Sequence, residues 1–66
     1  MIRLKDALKE LREGENLTQE QLAEKLNISK SAIAGYEQGR RKPDLETTVK
    51  IAEFFGVTLD FLVKYE

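Results

Sequence analysis

Sixty-six residues with 11 basic and 12 acidic side chains, a net charge of −1 and 41% hydrophobic content suit one small globular domain. The chain has neither cysteine nor histidine, which removes disulfides, thiolate metal sites, the commonest general base and the commonest metal ligand. No apolar run approaches the roughly 18 residues that span a bilayer, and the charge-rich N-terminus is no signal peptide, so a cytoplasmic protein without a membrane partner is expected.

Five short helical segments and no strand fit the pattern. Leu4, Ala7, Leu8 and Leu11 recur at i, i+3, i+4 and i+7, which predicts a first helix over about residues 2–13. Gly14 and Asn16 end it, since both tolerate a left-handed exit. Thr18 opens the second helix, and Gln21 completes a capping box with it. Leu17 stands ahead of the cap as a hydrophobic staple. Asn27 stops this helix, because asparagine tolerates positive φ better than any residue but glycine. Ser29 caps the third helix, which runs to about Gln38 and ends at Gly39. Pro43 bars backward extension of the fourth helix. Asp44 caps that helix, and Leu45, Thr48, Ile51, Ala52 and Phe55 are its expected inward face. Gly56 ends it. Thr58 caps a short fifth helix.

Residues 18–38 carry the functional signal. Leu22, Ala23, Leu26, Ile28, Ile33 and Tyr36 are inward positions, which leaves Gln19, Lys30, Ser31, Ala34, Gly35 and Gln38 facing out. Two short helices joined by two or three residues must cross steeply, and the small Ala23 suits their contact. That division is what a helix-turn-helix needs if its second helix is to enter a major groove. Charge supports it despite the acidic total. Residues 29–43 hold Lys30, Arg40, Arg41 and Lys42 against Glu37 alone, a local net of +3.

The series Leu-Lys-Glu-Leu-Arg, Leu-Thr-Gln-Glu-Gln-Leu-Ala-Glu-Lys-Leu, Ile-Ser-Lys-Ser-Ala-Ile, Tyr-Glu-Gln-Gly-Arg-Arg-Lys-Pro, Leu-Glu-Thr and Ile-Ala-Glu-Phe-Phe-Gly-Val resembles the lambda-repressor-like, Cro-type helix-turn-helix family. The likeness runs from about Leu4 to Leu62. It implies an all-α, compact five-helix DNA-binding domain over residues 1–66, with helices 2 and 3 as the helix-turn-helix. Carried over by the resemblance, Gln19, Lys30, Ser31, Ala34 and Gly35 are base-contacting positions. Arg12, Thr18, Gln38, Arg40, Arg41 and Lys42 are phosphate-contacting positions. Arg12 and Glu37 also match the family's internal pair between the first and third helices.

Gly35 departs from good helix chemistry, at a cost of about 1 kcal/mol relative to alanine. A glycine there suits a helix that must come very close to DNA. It reads no base through a side chain, and Ala34 offers only a methyl, so Lys30, Ser31 and Gln19 carry most direct readout. With so few readers per monomer, useful specificity needs two half-sites or DNA shape, and a homodimer is expected. Leu59, Phe61 and Tyr65 on the fifth segment are the expected two-fold contact. The expected function is a sequence-specific double-stranded DNA-binding regulator, a repressor acting on a two-fold symmetric operator. The alternative is a protein-interaction module on the same fold, such as an antitoxin or an adaptor. No enzyme is expected: Ser29, Lys30 and Ser31 lack the pocket that a serine–lysine dyad needs, and the acidic residues are scattered. No cofactor, metal or small-molecule ligand is implied, and no residues are left over for a ligand-binding domain.

Overall fold

The computed structural model describes residues 4–63 and contains five α-helices: α1 Leu4–Gly14, α2 Gln19–Leu26, α3 Lys30–Gln38, α4 Leu45–Phe55 and α5 Leu59–Val63. No strand occurs among the described residues.

The helix boundaries follow the local chemistry of the chain. Thr18 Oγ1 accepts from the Gln21 N–H at 3.1 Å, and Gln21 Oε1 accepts from the Thr18 N–H at 2.9 Å, a complete capping box. Ser29 Oγ accepts from the Ala32 N–H, Asp44 Oδ1 from the Thr47 N–H, and Thr58 Oγ1 from the Phe61 N–H. The first four helices exit alike. A residue in the left-handed region stands at each end: Asn16 and Asn27, both at φ 58°, Gly39 at 76° and Gly56 at 69°. The next amide then bonds back five residues: Leu17 to Arg12, Ile28 to Ala23, Arg40 to Gly35 and Val57 to Ala52. This is the Schellman closure, which satisfies carbonyls that a helix end would otherwise leave open.

The helices share one core. Leu8, Leu22, Ile33, Ile51 and Leu62 are its fully buried large side chains, with Ala23, Leu26, Ala32, Tyr36 and Ala52 packed among them. Leu17 and Ile28 are half-buried against it. Ala23 is 3% exposed, as expected where α2 meets α3 across the three-residue turn Asn27–Ser29. The buried Thr48 hydroxyl donates a hydrogen bond to the Asp44 carbonyl at 2.8 Å, so its burial leaves that hydroxyl paired. The expected inward face of α4 holds for Thr48, Ile51 and Ala52, and for Phe55, half-buried against the core, but not for Leu45, which is 69% exposed. Leu45 is the first residue of α4, about a turn before its first buried residue, Thr48.

Candidate nucleic-acid interface

The outer face of α3 carries Lys30, Ser31 and Gln38, all exposed, with half-buried Ala34 between them. Helical spacing puts residues three and four apart on one face, so these four form a strip of small and polar side chains opposite the core residues Ala32, Ile33 and Tyr36. The loop after Gly39 then brings Arg40, Arg41 and Lys42, all exposed. Arg40 Nε donates to Gln38 Oε1 at 2.6 Å, which ties the first loop cation back to the end of α3.

A buried ionic knot braces this surface from behind. Arg12 of α1 donates from Nε to Glu37 Oε2 at 2.7 Å and from Nη2 to Oε1 at 3.1 Å. Its Nη1 reaches the Leu17 carbonyl at 2.7 Å. Gln19, at the start of α2, donates to Glu37 Oε1 at 3.1 Å. One carboxylate on α3 thus gathers groups from α1 and α2. The hydrogen bond to Glu37, opposed by desolvation and aided by the charges of Glu37 and Glu13, raises the Arg12 pKa further. Arg12 therefore stays a cation inside the seam.

Several predicted residues change role. Arg12 was expected to grip phosphate as well as pair with Glu37. Its side chain is 11% exposed and bonds to Glu37 and the Leu17 carbonyl, so the pairing is present in the structure. Gly35 was expected to face out as a base-contacting position. It is buried instead, beneath the side chain of Arg41. Gln19 is half-buried and aimed by Glu37, a link not foreseen from the sequence. Thr18 is exposed, with its hydroxyl oxygen serving the α2 cap. Tyr36 was read as core alone, yet its ring also supports Arg41, whose Cζ lies 5.7 Å from the ring centroid. The signal for this was Gly35 itself, since a glycine inside a helix invites something to lie across it.

On α5, Leu59 is 36% exposed and Phe61 is half-buried against the core. Tyr65 lies outside the described residues. No helix among the described residues is long and apolar enough to cross a membrane, and no acidic cluster that could hold a metal ion occurs there.

A three-residue turn between two crossed helices, a small-residue outer face on the second and a basic loop at its exit define a helix-turn-helix DNA-binding domain. The helix-turn-helix family model matches residues 8–62. The chain belongs to the lambda-repressor-like, Cro-type helix-turn-helix family of transcriptional regulators, DNA-binding proteins rather than enzymes. It is 48% identical over 61 residues to the HTH-type transcriptional activator BcrR of Enterococcus faecalis, covering 92% of this chain but only 30% of that protein. It is 44% identical over 63 residues to an HTH-type transcriptional regulator of Methanocaldococcus jannaschii, covering 96% of both chains. A transcriptional regulator from Listeria innocua has the same fold at a TM-score of 0.86 and 33% identity, over 97% of this chain and 60% of that one.

Proposed function

We propose that residues 1–66 form a single DNA-binding domain that acts in the cytoplasm as a homodimer on a two-fold symmetric operator. The observation that carries this reading is the exposed strip Lys30, Ser31, Ala34 and Gln38, continuous with Arg40–Lys42 and rigidly backed by the Arg12–Glu37–Gln19 knot. Lys30 donates to guanine O6 or N7, Ser31 serves several bases, and Ala34 meets a thymine methyl. Gln19 contacts the outer edge of the half-site. Thr18, Gln38, Arg40 and Lys42 fix the register on phosphate.

Size supports the dimer. The described residues extend 25 Å along the longest axis, and successive major grooves on one face of DNA lie about 34 Å apart. Two copies in contact therefore fit consecutive half-sites. Leu59 and Phe61 of α5, with Tyr65 after it, supply the two-fold contact. The regulator represses by occupying its operator and excluding polymerase, which needs no cofactor or small-molecule ligand. Activation is the second reading, favoured by the likeness to BcrR, an activator by name.

The test is selection of duplexes from a random pool at about 0.15 M salt, with Lys30→Ala/Ser31→Ala in parallel. The expected result is a two-fold consensus that the double variant loses. A folded chain that enriches no sequence would shift the reading to a protein-interaction module. Reporter transcription from the selected site then separates repression from activation.

A further inference from the structure

The side chain of Arg41 is seated on α3 more closely than a phosphate contact requires. A methyl group at position 35 would lie 2.8 Å from Arg41 Cδ and 3.0 Å from Cγ, so the arginine stem fills the space that a side chain there would take. The backbone holds the same arrangement, because the Gly35 carbonyl accepts from the Arg40 N–H at 3.0 Å and the Arg41 N–H at 3.2 Å. The Tyr36 ring supports the guanidinium at 5.7 Å from its centroid. Tyr36 is itself 7% exposed and fixed in the core. Arg41 is therefore pinned at three points: its amide, its stem and its head.

The location matters as much as the rigidity. Gly35 follows Ser31 by four residues, so the two positions stack on one side of α3. The Arg41 stem crosses the helix one turn beyond Ser31, on the flank of the strip that faces DNA under the reading above. We propose that Arg41 reads a base edge in the major groove, standing in for the side chain that position 35 lacks. This inference rests on that DNA-binding reading. A planar guanidinium matches guanine O6 and N7 with two donors, and a pre-set fork loses little freedom when it binds. Arg40 is the contrast. It bonds to Gln38 at the exposed helix exit and serves phosphate.

The experiment measures affinity for the selected operator and for every single-base change in it, using the intact chain and Arg41→Ala, Gly35→Ala and Arg40→Ala. Arg41→Ala should relax preference at one guanine of each half-site by about ten- to a hundred-fold, with the other positions unchanged. Gly35→Ala should relax the same position by pushing the arginine stem aside, while thermal unfolding shows a fold at least as stable as the parent. Arg40→Ala should weaken binding to all sequences alike. If Arg41→Ala also weakens all sequences by one factor, Arg41 is a phosphate contact and only this inference falls. If the intact chain selects no sequence, the DNA-binding reading falls and takes this inference with it.

Discussion

Arg12 and Glu37 meet through two parallel bonds, 2.7 and 3.1 Å long, with side chains only 11% and 4% exposed. Twenty-five residues separate them in sequence, and the pair ties α1 to α3. Removing one partner strands the other. Arg12→Ala should cost about 3–5 kcal/mol, a large part of the stability of so small a domain. Replacing both ions with apolar side chains, Arg12→Met with Glu37→Leu, should leave stability nearly unchanged or raise it. The double variant also frees Gln19, so its operator affinity should fall while its fold persists. Urea unfolding of the three proteins, paired with DNA titration, checks both halves.

Salt dependence measures the loop. On the proposed dimer, Arg40 and Lys42 of each protomer give about four counterion-displacing contacts and a log–log slope near −4. Lys42 has no role in the core or in a cap. Lys42→Ala should weaken binding alike across sequences and flatten the slope by about 2 for the dimer. Affinities measured across a salt series test this directly, and an unchanged slope would place Lys42 away from phosphate.

Leu59 is the clean probe of the proposed two-fold contact. Phe61 packs on the core, so truncating it would disturb the fold as well as any interface. Leu59 is 36% exposed. Leu59→Glu should leave the unfolding midpoint within a few degrees of the parent and shift sedimentation at micromolar concentration from dimer to monomer. An unmoved dimer would locate the contact elsewhere.

Acid acts through the α4 cap. Hydrogen bonds from the Thr47 side chain, then its backbone N–H, hold the Asp44 carboxyl below its ordinary value, with help from the charge of Lys50. A depressed carboxylate stabilises the fold at pH above its unfolded-state value of about 4. That contribution disappears as pH falls through the lower folded-state value. Asp44→Asn keeps a capping oxygen but cannot titrate. Its thermal midpoint should therefore fall less steeply than the parent's as pH drops below about 4, as circular dichroism at each pH would report.

Local chemistry was the most legible part of the sequence. The Thr18–Gln21 box, the Ser29 and Asp44 caps, and the exits at Asn27, Gly39 and Gly56 each depend on a few adjacent residues and stand as expected. Leu45 fits the α4 stripe by spacing, but spacing does not say how far the neighbouring helices reach. Arg12 shows a similar gap. Its partner was legible from the family pattern, while its burial depends on the depth of the α1–α3 seam. Gly35 was read as room for DNA, whereas Arg41, six residues later in the chain, occupies that room. Contacts that close across a turn leave little trace in periodicity.

The Schellman exits bear on the thermodynamics of recognition. Each sends the chain out of its helix at a fixed angle and leaves no loose last turn. The α2–α3 pair and the start of the basic loop are thus ordered before any duplex arrives. Association then involves little coupled folding. Its heat-capacity change should scale with the apolar surface buried in the complex, without the larger contribution of a recognition helix that forms only on binding.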